Sequence, residues 1–571
     1  MRLRWAGLCL LGALAAVPAF AWLGLNTERA GPAQRPNVLL IVADDLGYSD
    51  IGSFGGEIRT PNLDALAARG LRLTGFYASP ACSPSRAMLL TGSDNHAAGL
   101  GTMAELITAE QRGVPGYEGF LSNRAATLAE RLQMLGYETM MAGKWHLGKA
   151  PGQLPSERGF TRSFALLQGD HNHFGYDQSA PYRTAGAARD YRLNGQPVEF
   201  PPGAYGDDYF TTQILESLKE QRVGRPFFAY LAFSGPHWPL QAPPEDIARY
   251  RDRYDAGPAA IQRARLERME KLGLVKRGAV PFPVDERAWD ALSTQERAFE
   301  TRKMEIYAAM VDRLDQNVGR IVSYLRKAEQ LDNTIIIFLS DNGAEGYSLD
   351  RPFDLPNPGK VAGTSIDNSL QSIGTGRSYI SLGRLWAQVS STPFRGVKLE
   401  MTEGGIRTPA IVSGPGVRRG GINGSVTHVT DVLPTVLDFV QASVEQVVAG
   451  RSVITPEGRS WTSLLAERVA AVRSEQHVEG WELLYRRAVR NGRWKAVFQP
   501  SLLPLFKERT PLNQVHWQLF DLKRDPGETH DLSAEQPRRL DEMIRKWDRY
   551  AASNKVVLPG GAIAGATGAK R

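Results

Sequence analysis

Four oxygen donors stand at the ends of two apolar runs. Residues 37–43 (NVLLIVA) lead into Asp44-Asp45, and residues 333–340 (NTIIIFLS) lead into Asp341-Asn342. A set without Cys or His suits a hard cation, Ca2+ or Mg2+, better than Zn2+. The plain alternative for such an acidic pair is a solvated turn or a helix cap. Cys82 opens the stretch CSPSRAMLLTG, and Cys9 is the other cysteine in the chain. Pro84 suits the first turn of a helix, so Cys82 is expected at a helix N-terminus, where free N–H groups and the dipole favour an anion. Lys144 and His146 stand two apart after residues 137–142, and in an extended segment they would face one anionic site. His237 follows another apolar run, 226–233, between Pro236 and Pro239. A hard cation and basic side chains around one pocket suit transfer of an anionic group whose charge grows in the transition state.

These residues need a scaffold. The two apolar runs read as buried parallel strands lying side by side, and acidic pairs at their carboxyl ends sit where open α/β sheets bind ligands. Thr60-Pro61 starts a helix closed by Gly70, and residues 123–135 form a helix stopped by Gly136. Residues 208–221 read as a helix. Residues 300–327 carry Ile306, Met310, Leu314, Val318, Ile321 and Leu325 at helical spacing, a long core-facing helix. Residues 243–300 read as a charged helical insertion over the surface near the site. Gly169-Asp170-His171-Asn172-His173 reads as a polar loop at the substrate entrance rather than a metal site. Beyond 470 the pattern changes: 487–490 and 494–498 flank Asn491-Gly492, a hairpin signal, then come a strand at 517–522 and a helix at 533–553.

Cys82-Ser83-Pro84-Ser85-Arg86, followed by Thr91-Gly92, resembles the sulfatase signature C-x-P-x-R…T-G. The likeness runs from Pro36 to about Leu532, and is nearest to bacterial arylsulfatases in Pro236-His237-Trp238-Pro239, Trp386-Ala387-Gln388, Gly404-Gly405-Ile406-Arg407 and Gly480-Trp481-Glu482-Leu483. The resemblance implies that Cys82 is converted to formylglycine (3-oxoalanine) by a maturation enzyme, and that its hydrate is the nucleophile. It implies one cation per chain, Ca2+ with Mg2+ as the alternative, held by Asp44, Asp45, Asp341, Asn342 and the oxygen formed at Cys82. Arg86 would hold the hydrate, while Lys144, His146, His237 and Lys398 would contact the hydrate and the sulfate group. One hydroxyl of the hydrate would attack sulfur and displace the alcohol, and the other would collapse to the aldehyde and expel sulfate. Asp341 would assist the first deprotonation, His237 with Lys398 would serve the leaving phenolate, and His146 would take the proton of the elimination. The implied substrate is a small sulfate monoester, by default an aryl sulfate. The alternative is a phosphonate monoester or phosphodiester with the same nucleophile. The implied fold is α/β and alkaline phosphatase-like: a large mixed sheet sandwiched by helices, with a smaller C-terminal antiparallel sheet plus helix.

Length and composition agree with an enzyme of this size. The chain has 571 residues, 42% hydrophobic and 23% charged, with net charge +7. No dense Lys/Arg block or basic-aromatic pattern points to nucleic acid. A non-catalytic anion-binding protein would have no need of Cys82 in an intact motif, and a zinc phosphatase would need more His and Asp at the strand ends. Met1-Arg2-Leu3-Arg4, an apolar stretch and Ala19-Phe20-Ala21 read as a signal peptide over 1–21, with an uncleaved membrane anchor as the alternative. Export to a bacterial periplasm or beyond follows, and membrane contact only if the leader stays. A linker over 22–35, a catalytic domain over 36–470, a C-terminal subdomain over 471–555 and a disordered tail over 556–571 complete the expected organisation.

Overall fold

The apolar run Asn37–Ala43 forms strand β1, buried along its whole length. The computed structural model describes residues 35–175, 190–347, 366–501, 514–558 and 560. The leader, most of the linker and the last eleven residues lie outside them. Nine more strands join β1: β2 (Gly70–Leu73), β3 (Glu138–Lys144), β4 (Arg162–Leu166), β5 (Tyr191–Leu193), β6 (Gln196–Val198), β7 (Phe227–Ala232), β8 (Thr334–Ser340), β9 (Ala410–Ser413) and β10 (Gly421–Asn423). Their order is β10-β2-β9-β8-β1-β7-β3-β4-β5-β6. The five central strands, β8-β1-β7-β3-β4, are parallel. Antiparallel pairs flank them at β9 and β5, so the sheet is mixed, as expected. All five central strands therefore deliver their carboxyl ends to one edge.

Alternation along each strand decides which helices cover which face. Leu39, Ile41, Leu231 and Phe338 pack with Met304, Met310 and Leu314 of the long helix Thr294–Lys327. Val38, Leu40, Val42 and Ile337 pack on the other face with Ala87 to Leu90 of the helix Cys82–Thr91 and with Val432 to Leu437. The long helix begins six residues before the expected start, because Ser293 and Glu296 form a reciprocal capping box. The helix expected over 123–135 begins only at Leu128, where Thr127 and Glu130 make the same device. The stretch 243–300 is more than a surface insertion. Arg265, from its helix Pro258–Lys271, is fully buried and binds Asp50 at 2.6 Å and Glu57 at 2.8 Å.

Four antiparallel strands follow in sequence order: β11 (Val478–Leu483), β12 (Arg486–Asn491), β13 (Trp494–Phe498) and β14 (Gln518–Asp521). The Asn491-Gly492 hairpin is present, with Asn491 opposite Trp494. The helix Pro537–Ser553 covers this sheet through Met543, Trp547 and Ala551. The chain stays packed past its end: Val556 and Val557 are buried, and the Val557 N–H donates to the Tyr117 hydroxyl. The expected tail from 556 is corrected to that extent, since two branched apolar side chains find cover there. Buried charges tie this sheet to the helices and loops around it. Lys495 bridges Glu403 and Glu528 at 2.9 and 3.0 Å. His96 lies 2.9 Å from Asp94 and 3.3 Å from Glu482 of β11.

Burial opposes charge on His96, but Asp94 and Glu482 push it up to about 9. In the unfolded chain it loses its proton near the ordinary 6.5. Its stabilisation is thus complete below about pH 6.5 and is lost as pH rises through about 9, on the order of 3 kcal/mol in all. Thermal unfolding followed across pH 6 to 9.5 is expected to show this decline, and His96→Gln should lower the midpoint at pH 6 and flatten the curve. An unchanged slope in the variant would remove His96 as the cause.

Candidate active site

Ala43 of β1 and Ser340 of β8 are register partners, so Asp44-Asp45 and Asp341-Asn342 leave the sheet side by side. All four side chains are buried. The Asp45 backbone is left-handed, φ 65°, a conformation that a non-glycine residue holds only when its surroundings impose it. Its N–H donates to Asp341 Oδ1 at 3.3 Å, and the preceding Asp44 N–H donates to the Gly235 carbonyl at 3.1 Å. Asn342 Nδ2 donates to Asp45 Oδ1 at 2.6 Å and to the Gly343 carbonyl at 2.9 Å. That leaves Asn342 Oδ1 buried without a donor, and Asp44 Oδ1 has no hydrogen bond either. Ligating atoms of Asp44, Asp45, Cys82 and His237 lie within 4.8 Å of one another, the one such group among the described residues. Asp341 stands beside them with Oδ2 taken by Arg86 at 2.8 Å.

Cys82 is the first residue of its helix, after extended Ala81, with Pro84 in the first turn. Ser85 clamps the approach by exchanging hydrogen bonds with the Ser79 backbone. Cys82 Sγ lies 3.6 Å from Asp45 Oδ1. Burial pushes the thiol well above its ordinary range, against the pull of Lys144 and Lys398, so the unmodified side chain is no thiolate nucleophile. Arg86, one turn on, points the same way and also donates to the Lys144 carbonyl at 2.9 Å. Lys144 is fully buried at the end of β3, 2.6 Å from Asp44. Burial would depress it, but Asp44 holds it above the ordinary lysine range. Lys398 reaches Asp45 at 2.8 Å and Glu345 at 3.2 Å, and these acids, Asp45 first, likewise outweigh burial. Burial raises Asp45 against Lys398, and raises Asp341 against Arg86.

The histidines divide. His237 Nδ1 lies 2.7 Å from the Trp238 carbonyl, which only accepts, so Nδ1 carries the hydrogen and Nε2 faces Asp45 Oδ2 at 3.6 Å. Burial, then Lys398 and Lys144, push His237 well below the ordinary range. His146 does not continue the β3 alternation. Its φ is 55°, and its Nε2 meets Glu105 Oε1 at 3.0 Å. The strand ends at Lys144, so the alternation expected to aim Lys144 and His146 the same way does not extend to His146. His171 and His173, expected on an entrance loop, are instead buried behind His237.

The sulfatase family profile matches residues 36–442. The chain belongs to the sulfatase family. It is 43% identical over 542 residues to an uncharacterized sulfatase of Schizosaccharomyces pombe, covering 93% of this chain and 96% of that one. It is 37% identical over 454 residues to an arylsulfatase of Klebsiella aerogenes, covering 78% of this chain and 95% of that one. The solved structure of Ps i-CgsB in complex with k-i-k-neocarrahexaose superposes with a TM-score of 0.62 at 25% identity, covering 90% and 93% of the two chains. This sulfatase is a hydrolase of sulfate esters with the alkaline phosphatase-like fold, and its family implies a formylglycine and a metal ion. The residues fit a cation: buried Asn342 Oδ1 has no donor, buried Asp44 Oδ1 has no hydrogen bond and only Arg86 Nη2 at 3.5 Å, and the Asp45 carboxylate converges with Asp44.

Sequence reasoning missed two acids. Glu345 lies three residues beyond Asn342 and closes the far side of Lys398; a carboxylate so soon after a ligand pair was the available signal. Glu105 sits on a short turn, Ala104–Leu106, and no pattern marks it. Adding a divalent cation to chelator-stripped sulfatase is expected to raise its melting temperature, and Asn342→Ala to weaken the apparent affinity about tenfold or more. A melting temperature indifferent to Ca2+, Mg2+ and chelator would show that the cluster takes no cation.

Proposed function

We propose that this sulfatase is an exported, calcium-dependent aryl sulfate hydrolase whose nucleophile is made from Cys82. The observation that carries the reading is the placement of Cys82 Sγ at a helix start, 3.6 Å from Asp45, in one buried cluster with Asp44 and His237 and within the field of Lys144 and Lys398. Likeness to an arylsulfatase at 37% identity supports the aryl preference. So does the aromatic wall beside His237, where Trp238 lies 4.6 Å from its ring and Tyr379 lies 5.6 Å from Trp238. Charge supports a monoanionic substrate. Four carboxylates, Asp44, Asp45, Asp341 and Glu345, face three cations, Arg86, Lys144 and Lys398. With a divalent ion the balance is one positive charge, which a sulfate monoester cancels and a phosphate monoester dianion overshoots. The periplasmic or secreted location rests on the leader sequence.

Asp44, Asp45, Asp341 and Asn342 would hold the cation. A formylglycine hydrate would supply an oxygen nucleophile and a second hydroxyl whose deprotonation releases sulfate, and the cation would spread the charge on the sulfuryl oxygens. Lys144 and Lys398, kept protonated by their acidic partners, bind the sulfate oxygens. Arg86 orients position 82 from one turn along the helix. Asp341 takes a proton at Oδ1 or Oδ2, its affinity raised by burial. Lys398 stabilises the departing phenolate oxygen, and His237 joins it as the imidazolium, with a proton on Nε2 as well as Nδ1, a form favoured when a bound sulfate group offsets Lys398 and Lys144. His146, oriented by Glu105, takes the proton of the release step.

Mass analysis of the Cys82 peptide is expected to show an aldehyde or its hydrate in preparations that turn over 4-nitrophenyl sulfate. Full conversion with no sulfate ester cleaved, but with phosphonate monoester or phosphodiester turnover, would reassign the substrate. His237→Ala should cost about 100-fold on phenyl sulfate and clearly less on 4-nitrophenyl sulfate. Equal losses on both would end the leaving-group role.

A further inference from the structure

The segment Gly169–His173 has no part in that chemistry, yet His171 and His173 are each 1% exposed. His173 Nε2 lies 3.0 Å from the carbonyl oxygen of His237. A carbonyl only accepts, so Nε2 carries the hydrogen and donates. Burial pushes His173 down to about 4, which leaves it neutral in ordinary buffers with Nδ1 as an acceptor. That nitrogen faces Ser234 Oγ at 3.4 Å. Ser234 Oγ lies 2.7 Å from His171 Nε2 and 3.1 Å from Asp207 Oδ1. Asp207 also accepts the Ser234 N–H at 3.0 Å, and His171 Nδ1 meets the Tyr191 hydroxyl at 2.8 Å. The His173 backbone is held as well: its N–H donates to Gln241 Oε1 at 2.8 Å and its carbonyl accepts from the Gly206 N–H at 2.7 Å.

Three segments thus meet behind one residue: the loop after β4, the start of the helix Gly206–Lys219, and the turn after β7. Gly206 permits the approach, since a Cβ there would lie 2.6 Å from His171 Cε1. A buried polar network of this size is costly, the more so because Asp207 Oδ2 has no hydrogen-bond partner, and apolar side chains would fill the space more cheaply. What the polar version adds is a fixed direction for the His237 peptide, the base from which that imidazole reaches toward Asp45.

We propose that His173 is a positioning residue for His237, its N–H fixing the His237 carbonyl, with Ser234, Asp207 and His171 fixing His173 in turn. The inference rests on the reading of His237 as the residue that serves the leaving group.

The test uses the matured full-length enzyme and kcat/KM for phenyl sulfate and 4-nitrophenyl sulfate. His173→Leu removes the donor, while His173→Gln keeps an N–H near the same point. His173→Leu is expected to lower phenyl sulfate turnover by about 10- to 100-fold and 4-nitrophenyl sulfate turnover by less, with unchanged formylglycine content. His173→Gln should recover most of the loss. Added to His237→Ala, His173→Leu should cost nothing further, because its effect passes through His237. Losses that multiply in the double variant, or a Gln variant no better than Leu, would overturn the proposal. Equal losses on both substrates in His237→Ala would instead discard the leaving-group role, and the double-variant comparison would still decide whether His173 acts through His237.

Discussion

Burying Asp44, Asp45 and Asp341 together at the ends of adjacent parallel strands sets the terms for the rest of the molecule. Each pair of like charges about 4 Å apart costs roughly 4 kcal/mol at an effective dielectric of 20. Three cations answer that repulsion, and each arrives from a different place. Arg86 comes from the helix behind the sheet, Lys144 from the end of β3, and Lys398 from a turn that precedes β9 by about a dozen residues. A sheet with five parallel central strands brings these points within reach because it sends every strand end to one edge. The groups that offset the carboxylates are also those suited to bind an anion, so stability of the empty site and affinity for sulfate draw on the same charges.

The cysteine turn is held from two sides. The Leu399 N–H donates to the Pro80 carbonyl at 2.7 Å, which joins the turn carrying Lys398 to the turn carrying Cys82. From the C-terminal sheet, Trp481 Nε1 donates to the Ala78 carbonyl at 3.1 Å. The small sheet is therefore part of what keeps the nucleophile's position fixed, although none of its residues enters the cluster. Buried charge pairs, His96 with Glu482 and Lys495 with Glu403, add to the hold of the small sheet on the rest of the fold.

The elements that place the site were legible wherever one physical signal dominated. β1 and β8 announce themselves as unbroken branched apolar runs, and Pro84 marks the Cys82 helix. Cys82, Arg86, Lys144, His237 and Lys398 come together with Asp44, Asp45, Asp341 and Asn342 in one buried cluster. Helix starts were read less well, because the capping boxes at Thr127 and Ser293 rest on a pair of side chains rather than on periodicity. Alternation does not reach His146, because β3 ends at Lys144 and the backbone of His146 is left-handed. Glu345, Glu105 and the burial of His171 and His173 depend on contacts between distant segments, which no local pattern encodes.

Cys82 is 1% exposed in the folded protein, at the root of a wholly buried helix. No second protein can reach that thiol once the large sheet has closed over it. The conversion that the family implies must therefore come early, while the segment around Cys82 is still extended and accessible. A chain that folds first is sealed with an inert sulfur in place of a nucleophile, stable and inactive. On the reading proposed above, the yield of working enzyme would then be a race between two clocks, one set by the modification and one by the folding of the sheet.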